Sequence, residues 1–259
     1  MKFLYGWCPA LILLTILPGC RRDESVAGSE IEVLCAAALR VPVEEAAREY
    51  EAAGWGTVRL QFGGSQAMLA TLEISGQGDI FLPADESYVT AARAKGLVLE
   101  TVPLAEMKAV IAVAKGNPRG VRSLADLQQD GVRLVLANPE LAAISQLTSK
   151  SLPPQTWQAL AARALAMKPT VNDVANDILL GAADAGIVWD VTVRQTKGLE
   201  AVALPELSAV KGRAAGAIAG ASTQPAAARR FLDWLASPEK GAPVFQKHGY
   251  TVMRGNARE

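Results

Sequence analysis

The chain reads as an α/β protein with a largely parallel sheet, and two observations carry that reading. Short apolar runs bounded by turn residues alternate with amphipathic helical patterns from residue 31 onward, the order that builds a sheet covered by helices. One junction, Gln61-Phe62-Gly63-Gly64-Ser65-Gln66, runs from a strand into a helix through two glycines and a serine. Such a turn aims bare backbone N–H groups and one hydroxyl at the positive end of a helix, an anion cradle with no charged side chain.

The elements follow in order. Ile31 to Ala38 reads as a strand, and Val43 to Ala53 as a helix with Val43, Ala46, Ala47 and Tyr50 on its apolar face. Thr57 to Phe62 is a second strand, Ala67 to Ile74 a second helix, Gly78 to Leu82 a short buried strand. Ser87 to Lys95 is a helix stopped by Gly96. Lys108 to Ala114 is a strand ending at the turn Lys115-Gly116-Asn117-Pro118, and Ser123 to Leu127 a short helix. Val132 to Ala137 is a buried strand leading through Asn138-Pro139-Glu140 into a helix. Thr170 caps a helix, with Asp173 three places on and Gly181 at its close. Ala185 to Trp189 and Gly198 to Leu204 are strands, and Pro225 to Ser237 is a helix.

The N-terminus stands apart from the fold. Lys2 and the apolar run Phe3 to Leu17 read as a secretory leader over 1–19. Leu17-Pro18-Gly19-Cys20 resembles the lipobox of bacterial lipoproteins, which implies lipidation at Cys20, with residues 20–30 as a polar tether to a membrane. About 230 residues remain, enough for one large core or two lobes. Lysine plus arginine and aspartate plus glutamate both number 26, so no net field draws nucleic acid. Once Cys8 leaves and Cys20 is lipidated, Cys35 stands alone and reads as a small buried hydrophobe.

The residues also weigh against catalysis. An enzyme needs a nucleophile with a base, or a metal constellation. The single histidine, His248, lies in the C-terminal tail and reads as a surface residue; Asp79 and Asp85 read as turn and cap residues. No glycine-rich nucleotide loop appears, and no cofactor is expected. An iron site wants several converging tyrosines, histidines or carboxylates, whereas Tyr50, Tyr88 and Tyr250 are scattered.

Further segments narrow the reading: Cys35-Ala36-Ala37-Ala38-Leu39, Phe62-Gly63-Gly64-Ser65, Gly78-Asp79-Ile80-Phe81 with Ala84-Asp85, Lys115-Gly116-Asn117-Pro118, Asp184-Ala185-Gly186-Ile187-Val188, and Phe231 to Glu239. In this order they resemble the molybdate-binding protein family of ABC importers. The resemblance implies a two-lobed type II periplasmic binding protein with a ligand cleft between lobes, each a mostly parallel sheet flanked by helices. Lobe one is expected at 31–107 and 206–259, and lobe two at 108–205. The implied ligand is molybdate or tungstate, and the implied partner is a membrane permease. A monomer is expected, and a membrane sensor as partner stays open.

The same resemblance implies a site of neutral donors. Ser65 falls at the family serine of the second strand–helix junction, and Val171 at a backbone donor opening its helix. Two positions depart. The family's first serine falls at Ala38, leaving only the N–H groups of Ala38 and Leu39, and its tyrosine falls at Trp189. Arg40, Gln66 and Ser145 are candidate replacements, while the ordinary reading of Arg40 is a solvated helix-start arginine. These departures leave a different small anion as an alternative ligand.

Overall fold

The computed structural model describes residues 28–253. The leader, Cys20 and most of the tether lie outside the described residues. Among the described residues, no helix is long and apolar enough to cross a membrane.

The chain opens with β1 (Glu30–Ala36), a 3-10 turn over Ala37–Leu39 and α1 (Arg40–Ala52). β2 (Thr57–Gly63), α2 (Ser65–Ser75), β3 (Ile80–Leu82) and α3 (Glu86–Ala94) follow. The long β4 (Val98–Ala114) leads to β5 (Leu134–Ala137), α4 (Ala143–Ser151), α5 (Pro154–Arg163) and β6 (Ala166–Lys168). Next come α6 (Val171–Leu179), β7 (Ala185–Trp189), α7 (Asp190–Gln195) and β8 (Leu199–Val202). β9 (Lys211–Ala219), α8 (Pro225–Ala236), α9 (Gly241–Lys247) and β10 (Thr251–Val252) complete the fold.

These strands form two mixed sheets joined through β4. In one, β2, β1 and β3 run parallel, and β9 pairs antiparallel with both β3 and β4. In the other, β6, β5 and β7 run parallel, and β7 and β8 pair antiparallel with β4. β4 changes partner between Lys108, opposite Lys211, and Ala109, opposite Trp189. Ala109 to Val113 are all buried, as a strand covered on both faces requires. The architecture is the two-lobed α/β fold of type II periplasmic binding proteins. The chain passes from the first sheet to the second at Lys108–Ala109 and is back in the first sheet at Lys211.

Local chemistry explains most of the elements. Val43, Ala46, Ala47 and Tyr50 are the buried face of α1, and Tyr50 meets Phe231 and Trp234 of α8 edge-on at 5.1 and 5.4 Å. Asp85 caps α3 by accepting the Ser87 N–H at 3.0 Å. Asp79 accepts the Glu32 N–H at 2.9 Å and the Ser222 hydroxyl at 2.5 Å, tying β1 to the loop after β9. Thr170 and Asp173 form a full capping box at the start of α6, and Gly181, at φ 72°, ends that helix in the left-handed region. Cys35 is fully buried, and burial pushes its thiol far above the usual range.

Two expectations are corrected. The second helix begins at Ser65 with Gly64 as its N-cap, two residues before the expected start at Ala67. His248 is no surface residue: its side chain is 17% exposed and its Nε2 lies 2.7 Å from Glu45, because α9 packs the tail against α1.

Candidate functional site

Four strand–helix or loop–helix junctions meet at one cavity between the sheets. It is lined by Ala36–Ala38 before α1, Gly63–Ser65 at the start of α2, Ala84, Ala142–Ile144 at the start of α4, Thr170–Val171 at the start of α6, and Trp189 at the end of β7. Its volume is ≈ 20 Å³, space for about one water-sized group. None of the lining residues is charged.

The electrostatics therefore come from the backbone. The first N–H groups of a helix lack intrahelical acceptors and carry the positive end of the helix dipole. Gly64 and Ala142, the N-caps of α2 and α4, offer no side-chain cap. At α6 the Thr170 hydroxyl is already committed, donating to Asp173 Oδ2 at 2.7 Å and accepting the Asp173 N–H at 3.2 Å. Ser65 differs. Its hydroxyl oxygen accepts the Ala84 N–H at 3.0 Å, which leaves its proton available for an acceptor in the cavity.

The sequence-named residues divide. Ala38, Ser65, Val171 and Trp189 come together at the cavity wall; Leu39, Arg40, Gln66 and Ser145 are not among the lining residues. Leu39 is fully buried in the core. The Arg40 guanidinium lies 4.0 Å from the Phe62 ring centroid and 3.2 Å from Glu44, on a side chain 45% exposed. The Gln66 N–H donates across the seam to the Leu141 carbonyl at 3.0 Å. The Ser145 hydroxyl is buried and meets no hydrogen-bond partner. Trp189 is 1% exposed. The outer edge of its indole lies against β9, where a Cβ on Gly212 would stand 3.0 Å from Cη2 and 2.9 Å from the Ala84 carbonyl oxygen.

Sequence reasoning missed Thr170, Ala84 and Ala142–Ile144 as walls. Thr170 was legible as a cap, and a helix cap beside an anion-type turn is itself a signal. Ala84 and Ala142–Ile144 carry no polar side chain, so nothing in the residue types marks them. Among the described residues, no three His, Cys, Asp or Glu side chains stand close enough to hold a metal ion.

Two lobes joined by crossing strands, with a small neutral cleft of helix N-termini between them, define the class of two-lobed solute-binding proteins. Residues 31–251 match the family of bacterial extracellular solute-binding proteins, and the chain belongs to that family. It is similar to the molybdate-binding protein ModA of Mycobacterium tuberculosis, with 28% identity over 230 residues, covering 85% of this chain and 84% of that one. Its fold is like that of the periplasmic molybdate-binding protein of Azotobacter vinelandii, with a TM-score of 0.71 at 17% identity, covering 86% and 99% of the two chains. It is also like that of the sulfate-binding protein SubI of Mycobacterium tuberculosis H37Rv, with a TM-score of 0.73 at 17% identity and 86% of each chain covered.

Proposed function

We propose that this protein captures molybdate or tungstate in the interlobe cleft and delivers it to the permease of an ABC importer, held to the membrane through a lipid on Cys20. One observation carries the ligand class: three helix N-termini and the Ser65 hydroxyl converge on a compact cavity with no charged wall residue. Preorganised neutral donors in a dry cleft stabilise an oxyanion, while cavity size selects among ions of one shape. The 28% identity with a molybdate-binding protein supports the choice among oxyanions. In this reading the protein acts by binding and closing, with no reaction of its own. The lobes that hinge are 31–107 with 206–259, and 108–205.

A second reading keeps the scaffold and changes the anion. It is favoured by Ala38 and Trp189, which supply no hydroxyl where the molybdate-binding resemblance calls for two, and by the likeness to a sulfate-binding fold.

Isothermal titration of a soluble form, residues 25–259, against molybdate, tungstate, sulfate and phosphate decides between them. The expected result is tight molybdate or tungstate binding with no heat from sulfate. Sulfate binding with silence from molybdate and tungstate would move the protein to the second reading.

A further inference from the structure

The strand that carries the N-terminal side of the chain enters the fold at the end away from the cleft. β1, β2 and β3 run parallel, and the residues at or just past their C-terminal ends, Ala36, Gly63 and Ala84, line the cavity. Their starts, at Glu30, Thr57 and Ile80, therefore form the opposite pole of the first sheet, where α1 and α2 also end. Trp55 sits at this pole beside the entering chain. The Thr57 N–H donates to the Ser29 carbonyl at 2.9 Å, and a Cβ on Gly56 would stand 2.5 Å from that oxygen. Backbone bonds continue the pole across the sheet: the Asp79 N–H donates to the Glu32 carbonyl at 2.8 Å, the Ala219 N–H to the Asp79 carbonyl at 2.9 Å, and the Gly220 N–H to the Leu97 carbonyl at 2.8 Å. Ile74, near the end of α2, and Leu99, near the start of β4, thus share the pole with Trp55.

Among the described residues, these three are the exposed large apolar side chains around the first sheet: Trp55 is 40% exposed, Ile74 86% and Leu99 55%. Single exposed apolar residues are ordinary on a surface; the place of these sets them apart. Only residues 20–29 separate Cys20 from the start of β1, a reach of at most about 35 Å when extended. A lipid on Cys20 therefore keeps this pole at the bilayer and raises the effective concentration of weak contacts. Trp55 suits that place, because an indole with an apolar body and one N–H favours the boundary between acyl chains and water. Charges at the pole are paired, Arg59 with Glu30 at 2.9 Å and Lys95 with Glu73 at 2.6 Å, so what it offers is apolar side chains and not a basic patch. We propose that Trp55, Ile74 and Leu99 form a foot that rests on a phospholipid bilayer, so that the anchored protein stands with its cleft turned away from the membrane. The inference rests on the lipid-anchor reading above.

Bromine atoms on lipid acyl chains quench only those indoles that reach them. The full-length protein, processed in a bacterial host, is reconstituted into phosphatidylcholine vesicles with and without brominated chains. With the leader removed, its tryptophans are Trp55, Trp157, Trp189 and Trp234. The wild type is expected to lose about a quarter of its emission in brominated vesicles, one indole in four, and Trp55→Phe to lose almost none. Ile74→Glu combined with Leu99→Glu should abolish most of the wild-type quenching. Both positions are exposed, so the fold should tolerate the change. Quenching that persists in Trp55→Phe sets another face on the bilayer and overturns the foot, as does full quenching in the double variant. An unquenched protein that floats with the vesicles also overturns it, leaves the lipid anchor intact, and fits a pole that meets another membrane protein. A mature protein that mass spectrometry finds without lipid on Cys20 overturns both.

Discussion

Gly64 and Leu141 touch across the seam between the lobes: the Leu141 carbonyl oxygen lies 2.3 Å from where a Cβ on Gly64 would stand. The same oxygen accepts the Gln66 N–H at 3.0 Å, and the Pro169 carbonyl lies 3.0 Å from the same Cβ position. Leu141 leads into α4 and Pro169 into α6, the two second-lobe helices whose starts line the cavity. A bare backbone at 64 lets these starts close onto α2, so this glycine serves close approach.

Gly64→Ala is accordingly expected to fold, since φ −66° and ψ 151° suit any residue. Closure is what it obstructs. Ligand affinity should fall about 10-fold or more, equivalent to about 1.4 kcal/mol. Small-angle scattering should show the liganded variant less compact than the liganded wild type. Wild-type affinity with wild-type compaction would mean that the lobes close along another seam.

Ser65→Ala separates the hydroxyl from the helix start. The N–H groups of α2 remain, but the donor that the Ala84 contact orients is lost. A hydrogen bond to a charged ligand contributes about 1.5–3 kcal/mol, so binding should weaken about 10- to 100-fold in calorimetric titration. Unchanged affinity would remove Ser65 from the site.

Trp189→Tyr probes the departure at the end of β7. The indole fills the space against Gly212 and Ala84, and a smaller ring leaves part of it empty. The variant should therefore lose about 1–3 kcal/mol of stability in chemical denaturation. At the same time it gains a hydroxyl at the position where the molybdate-binding resemblance calls for one. Tighter oxyanion binding in a less stable protein is the expected pair of results; weaker binding would show that the indole itself suits the ligand.

The sequence made most of the parallel strands legible because each is a short apolar run with turn residues beside it; α5 and the short parallel strand β6, Ala-Met-Lys, were missed. β7 appears at the expected residues, Ala185–Trp189. The long antiparallel pair was not legible. β4 extends ten residues upstream of Lys108 to Val98, through Glu100, Pro103 and Glu106, which break the alternation; the register shifts between Pro103 and Ala105 absorb the proline. β9 reads Lys-Gly-Arg-Ala-Ala-Gly-Ala-Ile-Ala, and its small residues carry little strand propensity although all but Lys211 and Arg213 are buried. At the site, the turn of Gly63–Ser65 and the cap at Thr170 could be read locally. Which helix starts share a cavity depends on the pairing of distant strands, and Arg40 illustrates the limit. Adjacent in sequence to the Ala38 wall, it instead stacks on Phe62 at 4.0 Å.

Acid stability should turn on Asp184, which joins the starts of β5 and β7 in the second lobe. Its Oδ2 accepts the Arg133 N–H at 2.9 Å and Nε at 3.0 Å, its Oδ1 accepts Nη2 at 2.9 Å, and Arg119 Nε lies 3.3 Å away. The hydrogen bonds from the Arg133 side chain, opposed by burial and joined by the Arg133 N–H and Arg119, hold this carboxylate well below its usual value of 3.8. A depressed folded-state pKa gives stability that is fully present above the unfolded value and is lost as pH falls through the folded one. Asp184→Asn keeps the shape and removes the charge. It should lower the melting temperature by several degrees at pH 7. Because the wild type forfeits its own advantage in acid, the two melting curves should converge as pH falls below about 4. Melting temperatures of both proteins from pH 7 to pH 2 give the comparison. A constant gap across that range would mean that Asp184 acts through packing, whereas convergence assigns the acid limb to its ionisation.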